Sequence, residues 1–280
     1  MQILRTVADL RRWSRTEHAA GRTVGLVPTM GALHAGHASL IQTAAKGCDR
    51  VAVSIFVNPT QFGPNEDYDR YPRSFEADCQ LAEASGAQVV FAPAVEEIYP
   101  ASAATFVEVE GLSNRLDGQS RPGHFRGVST VVTKLLIAAE PDRGYFGQKD
   151  AAQVAVLRRM VLDLRLATEL IVCPIVREAD GLALSSRNAY LSAEERKAAL
   201  VLSRTIHAIE ALFAAGEHNS ATLLTKATQL LAAESATRLD YITLVDWATL
   251  KPVPKAQPGN LFAVAASFGA TRLIDNTILG

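Results

Sequence analysis

Residues 23–37 read Thr23-Val24-Gly25-Leu26-Val27-Pro28-Thr29-Met30-Gly31-Ala32-Leu33-His34-Ala35-Gly36-His37. The first five are a short apolar run of the kind buried on both faces inside a parallel sheet. After His37, the stretch Ala38-Ser39-Leu40-Ile41-Gln42-Thr43-Ala44-Ala45-Lys46-Gly47 has helical spacing and a closing glycine, which predicts a helix from near Gly36. A strand-loop-helix junction of this kind points free backbone N–H groups and the positive end of the helix dipole at the sheet edge, where phosphate binds readily. Gly31 and Gly36 would let the backbone turn tightly and approach a flat or anionic ligand. His34 and His37 are three residues apart, so on a first helical turn their rings lie side by side and can donate to charge growing on a phosphate.

Outward from this stretch, strand and helix patterns alternate. A helix is predicted over Thr6 to Ala20, with Thr6 as cap and Gly21 closing it. There follow strand (Thr23 to Val27), helix (Gly36 to Lys46), strand (Val51 to Val57), helix (Ser74 to Ser85) and strand (Gln88 to Phe91). The alternation argues for a parallel sheet with helices on both faces. Between Asn58 and Pro72 lies a stretch rich in turn formers and too long for a simple connection, the kind of loop in which substrate sites collect. Thr105 to Glu110 alternates like a strand, and Gly127 to Ala139 reads as a helix with Val128, Val131, Val132, Leu135 and Leu136 in an apolar stripe.

Tyr145-Phe146-Gly147-Gln148-Lys149-Asp150 repeats the opening design ahead of a predicted helix over Ala151 to Leu164. Lys149 supplies a positive charge suited to phosphate, and Asp150 could either cap that helix or hold a ribose hydroxyl. Glu169 to Val176 is another buried-type strand, interrupted by Pro174. The polar loop Arg177 to Asn188 carries Ser185-Ser186-Arg187, in which two hydroxyls beside a forked guanidinium suit a phosphate. Ser192 with Glu195 is a capping-box pattern.

From Ser192 the character changes. Two alanine-rich helical patterns, Ser192 to Ala215 and Ser220 to Glu234, precede strand-like runs at Asp240 to Asp246, Leu261 to Ser267 and Thr271 to Leu279. The last two are joined by Phe268-Gly269-Ala270, short enough for a hairpin. The expected fold is therefore α/β, with a Rossmann-like, doubly wound parallel-sheet domain over residues 1–176 and a smaller α+β domain with a short antiparallel sheet over residues 177–280.

The bulk numbers fit an ordinary globular chain. Its 280 residues are 48% hydrophobic and 20% charged, which is enough for a substantial core. A net charge of -1 gives no general attraction to nucleic acid or anionic membrane, and no local basic patch replaces it. Cys48, Cys79 and Cys173 are far apart and lack metal-type spacing, the pattern of a reducing compartment. The first 22 residues lack the apolar centre of a signal peptide, and no apolar run approaches the ~20 residues of a membrane span. A cytoplasmic location is expected.

Four separated stretches carry a family resemblance: Pro28 to His37; Phe56-Val57-Asn58-Pro59-Thr60-Gln61-Phe62; Phe146 to Asp150 with Gln153; and Leu184-Ser185-Ser186-Arg187-Asn188. Together they closely resemble the pantothenate synthetases, the pantoate-beta-alanine ligase family, over essentially the whole chain. His34-Ala35-Gly36-His37 looks like the HxGH signature which that family shares with nucleotidylyl transferases and class I aminoacyl-tRNA synthetases.

The resemblance implies two half-reactions: ATP and (R)-pantoate give an enzyme-bound pantoyl adenylate and pyrophosphate, and beta-alanine then displaces AMP to give pantothenate, on the route to coenzyme A. It further implies that Met30, Gly31, Ala32, Leu33, His34, Ala35, Gly36 and His37 form the ATP-binding loop, with His37 as proton donor, His34 beside it on the phosphates, and Lys149 as a third catalytic group. The remaining implied ATP contacts are Gly147, Gln148, Lys149, Asp150, Val176, Leu184, Ser185, Ser186 and Arg187.

Gln61 is implied to contact pantoate and beta-alanine, and Gln153 pantoate, with Met30 facing the acid. Amides suit such a substrate because they donate and accept without adding charge. Pro28, Met30, Val131 and Val132 are candidates for the apolar walls around its gem-dimethyl end. Mg2+ is implied by the ATP chemistry and would ride mainly on the phosphates. Asp78 is a candidate partner for it, but Ala77 stands where a second carboxylate would improve a metal site, so the protein ligands stay unassigned. A homodimer through the nucleotide-binding domain is also implied. Two rivals differ in chemistry: a nucleotidylyl transferase acting on a phosphorylated acceptor would want extra Lys or Arg where Gln61 and Gln153 stand, and an idle nucleotide sensor would need no amide pair.

Overall fold

A computed structural model describes residues 1–64 and 66–280; Asn65, within the loop expected over Asn58 to Pro72, lies outside the described residues. The chain divides into two compact units, the first comprising Met1–Gly147 and Val156–Pro174, the second Gln148–Ala155 and Ile175–Gly280.

In the first unit the elements are β1 (Gln2–Leu4), α1 (Val7–Ala19), β2 (Val24–Thr29), α2 (Ala35–Gly47), β3 (Arg50–Ile55), α3 (Phe75–Ala84), β4 (Val89–Phe91), the one-turn α4 (Val95–Ile98) and α5 (Asp117–Ser120), α6 (His124–Ala139), β5 (Arg143–Gly147), the greater part of α7 (Ala151–Asp163) and β6 (Glu169–Cys173). The six strands form one parallel sheet in the order β1-β4-β3-β2-β5-β6. This is the doubly wound arrangement read from the sequence, and its order reverses between β2 and β5, the switch point where such sheets bind ligands.

One residue explains how that switch point opens. β2 runs two residues past the predicted end, through Pro28 to Thr29, although proline is normally excluded from a central strand. Pairing of β2 with β5 stops at Leu26↔Gly144, while pairing with β3 continues to Thr29↔Ile55. Residues of β2 alternate in the neighbour they bond: Phe56 N–H donates to Thr29 on the β3 side, and Asp142 N–H to Val24 on the β5 side. Pro28 therefore faces β5 after that ladder has ended, and its missing N–H costs nothing.

On one side of this sheet Val27, Leu40, Ile41, Ala44, Val51, Val53 and Val90 join a dry cluster that seats α2 and α3. Thr6 caps α1 by accepting the Asp9 N–H, as its sequence position predicts. Three expectations need correction. Thr105 to Glu110 forms no strand: Val107 N–H donates to Thr130 Oγ1 and Val109 N–H to Ser113 Oγ, so side chains take the place of a neighbouring strand. The helix expected from Gly127 begins at His124, after Gly123 with φ 82°. The strand expected to reach Val176 ends at Cys173, before Pro174.

The second unit holds the first residues of α7, then α8 (Ala193–Ala214), α9 (Ser220–Ala232) and the antiparallel strands β7 (Thr237–Asp246), β8 (Asn260–Phe268) and β9 (Thr271–Ile278), ordered β7-β8-β9. The predicted capping box is present: Ser192 Oγ accepts from Glu195 N–H, and Glu195 accepts from Ser192 N–H. Leu202, Ile206, Ile209, Leu223, Phe262 and Phe268 lie in its core. Where the sequence suggests one boundary after Val176, the chain crosses between the units at residues 147, 155 and 174. The short excursion of Gln148–Ala155 depends on side chains distant in sequence, so no local pattern announces it.

Candidate active site

The turn after β2 is held from two sides. Thr29 Oγ1 donates to Ser54 O at 2.6 Å and accepts from Gly31 N–H at 3.2 Å. Gly31 has φ 85°, and Ala32 follows at φ 50°, a left-handed conformation that costs a residue with a Cβ of order 1 kcal/mol. Asp78, 2% exposed, compensates: its carboxylate accepts Ala32 N–H at 2.9 Å, Leu33 N–H at 2.8 Å and the Ser74 hydroxyl at 3.0 Å. A Cβ on residue 31 would stand 3.0 Å from Asp78 Oδ2, so that carboxylate would have to give way, and the φ of 85° favours glycine there in any case. Gly36 lies inside α2 without a positive φ, so the turn expected of it is made by Gly31 and Ala32 instead.

His34 is the N-cap of α2 rather than a residue of its first turn, and His37 is its third residue. His34 Nδ1 accepts Gly36 N–H at 3.1 Å, and His37 Nδ1 accepts His34 N–H at 3.3 Å. The two rings form a reciprocal cap, with centroids 4.2 Å apart. A ring nitrogen that accepts an N–H carries no proton, so each neutral imidazole holds its proton on Nε2. The pair thus keeps its ring protons on Nε2 while using its Nδ1 atoms to cap the helix N-terminus.

Gln61 lies in a single 3-10 turn, Pro59–Gln61, and is 9% exposed. Its Nε2 donates to Met30 Sδ at 3.1 Å, which brings two sequence-predicted substrate contacts together. Asn58, 1% exposed, donates to Gln61 Oε1 at 3.0 Å and to Gly127 O at 3.1 Å, and accepts from Tyr99 OH at 2.9 Å. Because an amide nitrogen only donates, the Asn58 contact fixes which end of Gln61 is oxygen. A Cβ on residue 127 would sit 2.3 Å from Thr60 O, so Gly127 lets α6 approach the turn. Val131 and Val132 are buried further along α6.

Behind the turn, Arg121 donates to Glu66 Oε1 at 2.7 Å and to His124 Nε2 at 3.0 Å. Since guanidinium cannot accept, His124 must carry its proton on Nδ1, which donates to Gln61 O at 2.9 Å. Burial and the neighbouring Arg121 charge push the His124 pKa down to about 4. Burial acts to raise the Glu66 carboxyl, but its hydrogen bond and charge contact with Arg121 outweigh that and hold it below the ordinary glutamate range.

In the second unit, Gln148–Asp150 make one 3-10 turn that opens α7. The Lys149 ammonium is 3.7 Å from Asp150 Oδ1, whose side chain is half exposed. Gln153 sits one turn into α7 and is partly buried. In the loop after Val176, Leu184 N–H donates to Val176 O, and Ser185 Oγ accepts from Arg187 N–H at 3.3 Å, which opens the 3-10 turn Ser186–Tyr190. Glu178 braces this loop by accepting from Asn188 Nδ2 and from Arg196, each at 2.7 Å. Met30 to His37, Gln61 and Gly147 thus belong to the first unit, and Gln148, Lys149, Asp150, Gln153, Val176 and Leu184 to Arg187 to the second.

A sequence profile described as pantoate-beta-alanine ligase matches residues 2–278. The chain belongs to the pantoate-beta-alanine ligase family. Its reaction is the ATP-dependent condensation of pantoate with beta-alanine. The ligase is 62% identical over 259 residues to the pantothenate synthetase of Acidobacterium capsulatum, covering 92% of this chain and 87% of that one. It is 54% identical to that of Koribacter versatilis, over 100% of this chain and 96% of the relative. The crystal structure of the Thermus thermophilus pantothenate synthetase matches with a TM-score of 0.93 at 46% identity, over 99% of both chains. That of the Francisella tularensis ligase, complexed with beta-gamma ATP and beta-alanine, matches with a TM-score of 0.80 at 35% identity, over 99% of this chain and 97% of the other.

Sequence reasoning about the ligase assigned no role to Asn58, Glu66, Arg121 or His124. For Asn58 a signal was present, since an amide three residues before Gln61 on a Pro-led turn can reach it. The bonds from Arg121 to Glu66 and from His124 to Gln61 O span 55 and 63 residues and had no such signal. Asp78, weighed as a metal partner, spends both oxygens on the β2–α2 turn. Among the described residues no group of three His, Cys, Asp or Glu could hold a metal ion.

Proposed function

We propose that the first unit activates the pantoate carboxylate at its β2–α2 turn. The carboxylate attacks the α-phosphorus of ATP, the bond to pyrophosphate breaks, and pantoyl adenylate remains bound. The amine of beta-alanine then attacks the acyl carbon, loses a proton, and AMP leaves with the electrons of the broken C–O bond. Activation is needed because a carboxylate is a poor acyl donor.

The observation that carries this reading is the reciprocal histidine cap at the N-terminus of α2, which spends both Nδ1 atoms as acceptors and so leaves each ring's proton on Nε2. Such donors stabilise charge developing on phosphate without a prior net charge. In this reading His37 donates toward the leaving pyrophosphate and His34 toward the same phosphates. Met30, Gly31, Ala32, Leu33, Ala35, Gly36 and Gly147 supply the other ATP contacts of the first unit. Gln61, held on Met30 by its own hydrogen bond, offers its amide to pantoate and then to beta-alanine.

The second unit contributes Lys149 as a charge for the phosphates, Gln148 and Asp150 beside it, and Gln153 for pantoate. Val176, Leu184, Ser185, Ser186 and Arg187 complete the ATP contacts by their motifs. In sequence, the nucleotide and pantoate contacts up to Val176 fall within residues 1–176, and Leu184, Ser185, Ser186 and Arg187 within the C-terminal residues 177–280. Mg2+ travels on the ATP phosphates, because Asp78, the carboxylate that braces the turn, is engaged by backbone N–H groups. The exposed Leu162 and Leu164 at the end of α7, 66% and 47% accessible, support a homodimer through the first unit. No helix among the described residues is long and apolar enough to cross a membrane, and the odd, separated cysteines support a cytoplasmic location.

The test is pyrophosphate release at saturating ATP. Release that requires pantoate, with stoichiometric amide once beta-alanine is added, supports the reading. A stable adenylylated product in the presence of beta-alanine would instead place the chain with the nucleotidylyl transferases.

A further inference from the structure

β9 carries an unusual run for a buried strand: Asp275, Asn276 and Thr277 are 1%, 3% and 8% exposed. Buried polar side chains are costly unless each finds partners, so a consecutive run of them calls for a reason. Asp275 makes a two-pronged ion pair with Arg177, at 2.7 and 2.9 Å, next to Val176 at the start of the Ser185-Ser186-Arg187 loop. Thr277 donates to Glu210 at 2.6 Å, inside the same unit. Asn276 does something different. Its Nδ2 donates to Lys149 O at 2.9 Å and to Gln148 O at 3.1 Å, and its Oδ1 accepts from Gln148 Nε2 at 3.3 Å.

Both amide hydrogens and the amide oxygen are therefore spent on one dipeptide, 127 residues away in sequence. One turn further on, Trp247 Nε1 donates to Ala151 O at 2.9 Å. The backbone of residues 148, 149 and 151 is thus pinned by side chains of β9 and of the turn after β7. These bonds sit at carbonyls ahead of and within the first turn of α7, so they fix the direction in which the Lys149 side chain leaves the backbone. An aspartate at position 276 could not replace Asn276, because its oxygens would face two carbonyl oxygens.

We propose that Asn276 is a positioning residue for Lys149, assisted by Trp247, and that β9 holds the Gln148-Lys149 turn in the orientation the phosphates need. The proposal rests on the reading of Lys149 as a phosphate-binding catalytic group. Asn276 touches no substrate in it; it acts on the rate through the lysine. Misplacement of a catalytic charge by about 1 Å costs up to ~10²-fold in rate, so the loss of this clamp should be visible in kcat rather than in ATP affinity.

The experiment is a double-mutant cycle on pantoate-dependent exchange of labelled pyrophosphate into ATP, using the full chain. Asn276→Ala and Asn276→Asp are expected to lower kcat by about 10- to 100-fold, with the KM for ATP changed less than about threefold. In a Lys149→Ala background, which is itself slow, Asn276→Ala should add less than about a twofold further loss. A loss of the same size in both backgrounds, or unchanged kcat for Asn276→Ala, overturns the proposal. If Lys149→Ala alone leaves the rate intact, it is the role of Lys149 that fails, which the single variant distinguishes. Where Asn276→Ala lacks a cooperative melt, Trp247→Phe carries the test. It removes the donor to Ala151 while keeping an aromatic ring, and it must lower kcat when Lys149 is present and not when Lys149 is alanine, or the proposal falls.

Discussion

His37 Nδ1 accepts the backbone N–H of His34, so one histidine caps the residue that carries the other. Each ring is oriented by a hydrogen bond to the helix start, and both are fixed in the tautomer that donates from Nε2. His37→Ala is therefore expected to lower the rate of adenylate formation by about 10²–10³, the usual effect of removing one transition-state donor. It should also cost about 1 kcal/mol of stability through the lost cap. Single-turnover pyrophosphate release checks the first and chemical denaturation the second; an unchanged adenylation rate would remove His37 from the mechanism.

Asp78 offers a sharper contrast between two roles. As a magnesium ligand its replacement would raise the Mg2+ concentration needed for activity. As the brace of Ala32 and Leu33, Asp78→Asn loses one of two acceptors and leaves a part-buried N–H unpaired, at a cost of about 1 kcal/mol or more. The expected outcome is a lower melting temperature and a rate reduced on the order of 10²-fold, with an unaltered Mg2+ titration.

Gln61 and Asn58 should behave as a pair. Gln61→Ala is expected to weaken pantoate binding by about 10- to 100-fold, the loss of one or two hydrogen bonds, with ATP binding changed less than about threefold. Asn58→Ala, which frees the Gln61 amide to flip, should weaken pantoate binding in the same direction by about tenfold. Calorimetric titration of each ligand separates the two effects, and equal losses for pantoate and ATP would refute this assignment.

How much of this was legible in the sequence follows from the range of each interaction. The Ser192-Glu195 box, the Thr6 cap and the adjacency of His34 and His37 all act within one helical turn, and their spacing announces them. The parallel sheet follows from the alternation of apolar runs with helical stripes. Thr105 to Glu110 misled because its alternation is real, with Val109 buried and Glu108 and Glu110 exposed, while its backbone bonds to side chains rather than to a strand. The cradle of Asp78 on Ala32 and Leu33, the His124 contact to Gln61 O and the Asn276 clamp join residues 45 to 128 apart. Each polar residue in them reads locally as surface, and only the fold reveals its partner.

His124 gives the protein a pH signature. Its folded pKa of about 4 lies below the ordinary 6.5, so between those values the unfolded chain binds a proton that the folded chain refuses. Stability from this group is fully present above about pH 6.5 and declines as the pH falls toward 4. The loss over that interval is about 3 kcal/mol for a group this buried. Glu66, whose carboxyl is held low by Arg121 against its own burial, adds loss in the same direction once the pH passes below its ordinary range. His124→Asn should lower stability at neutral pH, through the lost packing and the altered contact to Gln61 O, and should flatten the slope of unfolding free energy between pH 6.5 and 4. Urea denaturation at a series of pH values measures both. A slope in His124→Asn equal to that of the parent would show that His124 already accepts its proton in the folded state, and would break the chain from Glu66 through Arg121 to Gln61.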